Sequence, residues 1–281
     1  MPIDPKLVGK ELPALEYSYT QKDVMLYALG IGAGVEPDEL KFVYESDLAV
    51  IPTYGVIPPF GALFSIVGME GMDFNLAMLL HGEQYLEILK PIPTEGTITS
   101  YPRIAAIYDK GKGALIEIDV VTKNSKGEEL FKNRFSTFIR GEGGFGGEKG
   151  PEPKYEAPDR KPDRVVEMKT LPQQALLYRL SGDFNPLHAD PNFAAMGGFE
   201  KPILHGLCTF GFAGRAVLKE YCNNDPAKFK AIKVRFSRHV YPGEKIVTEM
   251  WQENDDQVIL RAKTAERDEY CLTNAAVWLN K

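Results

Sequence analysis

Residues 178–191 read Tyr-Arg-Leu-Ser-Gly-Asp-Phe-Asn-Pro-Leu-His-Ala-Asp-Pro. Asp183, Asn185 and His188 put an acid, an amide and an imidazole within six positions, and the Gly and Pro residues between and around them force a turn rather than a regular element. Three polar heads can then converge on one pocket. A carboxylate and a neutral imidazole held side by side can bind a water and remove its proton, with Asn185 placed to orient the water or the ring. The same residues also suit an Asx-type turn, in which Asp183 and Asn185 cap backbone amides and His188 packs. The stretch alone leaves both readings open.

Downstream, Pro202-Ile203-Leu204-His205-Gly206 leads into GLCTFGFAGRAVLKEY, residues 206–221, whose apolar spacing predicts a mostly buried helix. Gly206 at its start lets a carbonyl oxygen approach bare N–H groups, where the helix dipole favours negative charge. That is the makings of an oxyanion hole, although an ordinary Gly cap uses the same residue. Upstream, LYALGIG (26–32) reads against LYRLSGD (177–183), and the run Tyr85–Gly96 resembles Val234–Glu244. Strands are predicted at 113–122, 129–139, 245–250 and 258–264, with Gly61–Gly68 as the first-half counterpart of the helix. The Gly/Pro/charge-rich stretch 141–162 reads as a linker between an N-terminal half, 1–140, and a C-terminal half, 163–281.

The chain has 281 residues, 44% of them hydrophobic, and a formal charge of −6, which argues against a general nucleic-acid binder. Three scattered cysteines, Cys208, Cys222 and Cys271, form neither a disulfide framework nor a metal motif and favour a reducing compartment. No signal-peptide pattern and no long apolar span is read, so no membrane association is expected. The last residues, Trp278 to Lys281, are not an SKL-type address, which points to the cytoplasm with the peroxisomal matrix as the alternative.

YRLSGDFNPLH, the run to Ala194 and Ala195, and HGLCTFG together resemble the hydratase 2 signature of MaoC-like (R)-specific enoyl-CoA hydratases. The likeness extends over essentially the whole chain and is similar to the two-part hydratase 2 unit of peroxisomal multifunctional enzyme type 2. It implies an α+β double hot-dog fold, two antiparallel sheets each wrapping a central helix. It implies Asp183 and His188 as the catalytic pair, Asn185 as the supporting amide and Gly206 as the oxyanion donor. It further implies acyl-CoA contacts at His81 and Gly82, Lys110 and Phe236, an acyl-CoA thioester as the partner, a homodimer, and no metal or redox cofactor. Lys110 suits a CoA phosphate and Phe236 an apolar or adenine-facing wall, although a solvated lysine and a core aromatic fit those positions equally. Lys233, Arg235, Arg238 and His239 form a basic stripe beside Phe236. Ile31 and Gly32 stand where the second half has Gly182 and Asp183, so the first half lacks the acid/base pair and is expected to give room to an acyl chain. The apolar run 51–72, with Phe60, Leu63, Phe64, Ile66 and Val67, would line that tunnel or simply pack as core.

Two other classes fit the same fold. A thioesterase would direct the water to the carbonyl carbon, and a non-catalytic acyl-CoA binding module would need no acid/base pair at all. The Asp-x-Asn-x-x-His order favours hydration over the first, and intact Asp183, His188 and Gly206 argue against the second.

Overall fold

The computed structural model describes residues 3–281. Five strands precede the Gly/Pro-rich stretch: β1 (Leu15–Tyr19), β2 (Leu79–Ile88), β3 (Gly96–Asp109), β4 (Gly113–Asn124) and β5 (Glu129–Arg140). Five follow it: β6 (Arg164–Lys169), β7 (Phe229–Phe236), β8 (Lys245–Asn254), β9 (Gln257–Thr264) and β10 (Tyr270–Leu279). Helix α1 is Gln21–Gly30, α2 is Gln174–Tyr178, α3 is Pro191–Met196 and α4 is Gly206–Cys222.

All ten strands join one antiparallel sheet in the order β1-β3-β4-β5-β2-β7-β10-β9-β8-β6. Read outward from the middle, the first half runs β2-β5-β4-β3-β1 and the second β7-β10-β9-β8-β6, the same sequence of equivalent strands. The repeat seen in short sequence matches is therefore a repeat of topology. The halves meet where β2 pairs antiparallel with β7, Glu83 opposite Arg235 and Leu86 opposite Ile232. The repeated LY dipeptides also meet, since the rings of Tyr27 and Tyr178 lie 6.0 Å apart. Gln174 at the start of α2 donates to the Gly30 carbonyl at 2.6 Å.

The fold is the double hot-dog that the sequence implies, but the expectation of two sheets, each around its own helix, is corrected in two respects. The sheet is continuous, because β2 and β7 satisfy each other's edges. Among the described residues only the second half has a long central helix, the 17-residue α4, which buries Phe210, Phe212, Val217 and Leu218 among others. Each such side chain contributes about 1.5–3 kcal/mol on burial. In the first half, Gly61–Gly68 does not form the matching helix: Phe60–Phe64 makes a short 3-10 turn after Pro58 and Pro59, and Gly68 ends the segment at φ +74°. Ala62, Leu63 and Ile66 from this segment close a separate core cluster against Ile104, Ile116 and Phe135.

Residues 141–162 hold no helix or strand but are pinned to the body. The Asp109 carboxylate accepts from the N–H groups of Gly144 and Gly146 at 2.8 and 2.7 Å, and Trp251 Nε1 donates to the Arg160 carbonyl at 2.9 Å. Among the described residues, no helix is long and apolar enough to cross a membrane.

Candidate active site

The stretch 178–191 folds into short turns, as its composition dictates. Gly182 takes φ +121°, a value open to glycine, and turns the chain after the 3-10 turn Arg179–Ser181. Asp183 Oδ1 accepts the Asn185 N–H at 3.1 Å, and Asn185 Oδ1 accepts the Leu187 N–H at 3.0 Å, capping a 3-10 turn over Pro186–His188. The Asx turn and the polar cluster thus coexist: each carboxyl or amide spends one oxygen on the backbone and keeps a second polar atom.

His188 is buried, and its Nδ1 lies 2.9 Å from the Ile203 carbonyl. A carbonyl only accepts, so Nδ1 carries the proton and Nε2 presents a lone pair. Burial pushes the His188 pKa below the ordinary imidazole value, with Asp183 and the Ile203 contact pulling it back. Burial likewise raises Asp183, against the pull of His188, the Asn185 N–H and Arg179. The two groups share one desolvated spot and titrate as a pair.

His205 packs flat on His188, with ring centroids 3.7 Å apart and planes 28° from parallel. Its Nε2 lies 3.1 Å from the Asp183 main-chain carbonyl, which makes Nε2–H the donor, and Nδ1 is buried with no partner. Burial holds its pKa down at about 2, so the ring is neutral. Asp183, His188 and His205 bring one potential ligand atom each within 4.8 Å of one another. One nitrogen of each ring is already spent on a main-chain carbonyl, Ile203 for His188 and Asp183 for His205.

Gly206 opens α4, and its N–H is among the first donors of the helix, which have no intrahelical acceptor. A Cβ there would sit 3.1 Å from Phe236 Cδ1, so glycine keeps a path to the N–H beside that ring. Phe236 ends β7 and meets the His81 ring edge-on at 4.9 Å. His81 and Gly82 occupy a break in the β2–β5 register, and His81 Nε2 is buried without a partner, its pKa pushed down to about 4 by burial.

All eight site residues singled out in the sequence line one cavity of about 2380 Å³: Asp183, Asn185, His188 and Gly206 on one side, with His81, Gly82, Lys110 and Phe236 around them. Phe60, Leu63 and Phe64 line its apolar reach, whereas Ile66 lies in the core and Val67 is exposed elsewhere. The expectation that the first-half counterpart of the site is vacated for an acyl chain is corrected. Ile31 is fully buried, its carbonyl accepts from Arg215 Nη1 at 2.8 Å, and Gly32 packs against Phe212. The first-half lining of the cavity instead includes residues of the Phe60–Phe64 turn and its neighbours, not Ile31 or Gly32. Within the basic stripe, Lys233 and Arg235 are paired with Glu83 at 2.9 and 2.7 Å, while exposed Arg238 has no ion pair among the described residues. His239 lines the cavity beside it, its carbonyl accepting from Arg267 at 2.6 Å.

Sequence reading assigned no role to the His205 side chain or to the buried Glu39–Arg215 pair. The first had a signal, an imidazole abutting the helix start. The second had none, because its partners lie 176 positions apart.

A double hot-dog in which an acid–imidazole pair and a helix N-terminus line one large cavity suits water addition to, or removal from, an acyl thioester. The chain belongs to the hydratase 2 family of MaoC-like proteins: residues 17–141 match the MFE-2 hydratase 2 N-terminal domain and residues 154–273 the MaoC like domain. It is 48% identical over 277 residues to the probable enoyl-CoA hydratase 2 of Dictyostelium discoideum, covering 96% of this chain and 94% of that protein. It is also 48% identical to the peroxisomal multifunctional enzyme type 2 of Mus musculus, of which it spans 38% while 96% of this chain is covered. The crystal structure of a MaoC-like dehydratase from Phytophthora capsici superimposes with a TM-score of 0.88 at 39% identity, covering 99% of this chain and 98% of that one.

Proposed function

We propose that this chain is an (R)-specific 2-enoyl-CoA hydratase that adds water reversibly to trans-2-enoyl-CoA, giving the (3R)-3-hydroxyacyl-CoA. The observation that carries the reading is the convergence of Asp183, His188 and Gly206 on one cavity whose lining is mostly apolar. The thioester carbonyl sits against the Gly206 N–H, which draws electron density from the conjugated double bond and leaves the β-carbon electrophilic. A water held between Asp183 and His188 Nε2 loses a proton to the pair as its oxygen bonds to the β-carbon. The pair returns a proton to the α-carbon on the same face, so hydroxyl and hydrogen add syn. No electron changes hands, and the route as written calls on no metal or redox cofactor.

Asn185 supports the water through its remaining amide group. Lys110 and Arg238, which line the cavity, are the proposed partners of CoA phosphates, His81 and Gly82 the proposed acyl-CoA contacts, and Phe236 an apolar or adenine-facing wall. We further propose a homodimer, to be tested by light scattering. The compartment is the cytoplasm, or the peroxisomal matrix, which the name of the mouse relative supports.

The test is an assay of the purified chain with crotonyl-CoA and trans-2-decenoyl-CoA, following loss of enoyl-thioester absorbance, thiol release and product stereochemistry. The expected result is the (3R) alcohol, with activity abolished by Asp183→Asn. Free CoA without a hydroxyacyl product overturns hydration in favour of thioester hydrolysis.

A further inference from the structure

His205 is the histidine of this site that faces no substrate. His188 and Gly206 line the cavity, whereas the His205 side chain stands behind them, buried between the rings of His188 and Tyr178 at 3.7 and 4.9 Å. Three connections run from it. Its ring face supports the His188 imidazole, its Nε2–H holds the main-chain carbonyl of Asp183 at 3.1 Å, and its own carbonyl takes the N–H groups of Cys208 and Thr209 at 3.1 and 3.2 Å as the cap of α4. The acid, the imidazole and the oxyanion-donating peptide, which come from separate turns, therefore all bear on one residue.

We propose that His205 is a positioning residue for hydration, fixing the His188 ring and the Asp183 loop against each other and against the start of α4. This rests on the hydratase reading of the site. Packing alone does not call for histidine here. Nδ1 is buried with no partner, and burying an unpaired polar atom is unfavourable, so an aliphatic side chain would fill the space without that penalty. Two requirements together select imidazole: a flat face to stack on His188, and a donor at the Nε2 position to reach the Asp183 carbonyl. A third condition, neutrality, is met because burial keeps the ring unprotonated. His205 itself then adds no positive charge to weaken His188 as a base or to add to the pull of Arg179 on the Asp183 carboxylate.

Tyr178 extends the support into the other half of the molecule. A Cβ on Gly30 of α1 would lie 3.4 Å from Tyr178 Cα, and Cys208 Sγ meets the Gly30 carbonyl at 3.3 Å. The half without acid/base residues thus forms the backing on which Tyr178, His205 and His188 are stacked.

The experiment compares His205→Gln, His205→Asn and His205→Leu with the unaltered chain, measuring kcat and KM for crotonyl-CoA hydration alongside thermal unfolding. Gln places an amide nitrogen near the Nε2 position and reaches the Asp183 carbonyl, whereas Asn places it near Nδ1 and does not. Misplacing a catalytic group is worth up to about a hundredfold in rate, so kcat is expected to fall by about tenfold or more in His205→Leu and His205→Asn and by less than about threefold in His205→Gln. KM is expected to stay within about threefold throughout, since no substrate contact is removed. Unchanged kcat in a folded His205→Leu, equal losses in Gln and Asn variants, or a loss carried by KM would each overturn the proposal. If His205→Leu does not fold, the Gln-against-Asn ordering decides alone. Absence of hydration by the unaltered chain overturns the hydratase reading, whereas normal hydration by all three variants overturns only the role of His205.

Discussion

A buried imidazole with one nitrogen spent on a carbonyl has a single atom left for chemistry, and the choice of atom is made by the backbone. In His188 the Ile203 carbonyl takes Nδ1, so Nε2 faces the cavity. Burial lowers its pKa, and the sign of the consequence follows directly: the neutral, base-competent form survives to lower pH than in an exposed histidine. The acid limb of kcat/KM is therefore expected below the ordinary imidazole value of about 6.5, as a property of the Asp183–His188 pair. A pH–rate profile with crotonyl-CoA checks this, and a limb at or above that value contradicts it. At this scale the sequence was informative because the six positions from Asp183 to His188 are contiguous and their turn chemistry is local. It was silent on which nitrogen works and on the His205 side chain, since both depend on groups brought in from other turns.

At the scale of elements, α4 decides what the first half can be. Arg215 on this helix makes two bonds to Glu39, Nε at 2.6 Å and Nη2 at 3.2 Å, with both side chains almost wholly buried. Removing one partner leaves a buried charge uncompensated, so Arg215→Met is expected to destabilise the fold by about 3–5 kcal/mol, with part recovered when Glu39→Leu is added. Urea unfolding of the single and double variants measures it; additive losses would show that the pair is not coupled. Gly211 and Gly214, also on α4, let the first half approach closely: a Cβ on Gly211 would collide with Ile31, and one on Gly214 with Thr53. Gly211→Val is expected to cost about 1–3 kcal/mol by overpacking, read as a lower Tm. An unchanged Tm would mean that Ile31 moves freely. The sequence predicted α4 from its periodicity but not its lack of a first-half twin. The run 60–68 looked apolar enough for a helix, and its prolines and glycines won.

For the whole molecule, the recurrence of one strand order on both sides of β2/β7 makes the two halves one folding unit rather than two tethered domains. The sheet continues across them through five residue pairs, from Glu83–Arg235 to Glu87–Ala231. The principal core cluster draws on both, with Tyr27, Ile31 and Tyr54 packed among Tyr178, Phe210 and Phe212. Each half alone would expose β2 or β7 as an open edge together with the apolar face that meets α4, a combination that favours association or aggregation. Residues 1–140 and 141–281 expressed separately are therefore expected to lack a cooperative thermal transition and hydratase activity, and to regain both when co-expressed. The acid/base pair and Gly206 all lie in the second piece, yet the backing of Tyr178 and His205 includes Gly30 from the first. A soluble, cooperatively melting monomer of 141–281 with full kcat would overturn this. It would show that the first half supplies only cavity wall; an intact KM difference with normal kcat would point the same way. Loss of kcat repaired by adding 1–140 would instead mean that the half without catalytic groups holds the other in its working shape.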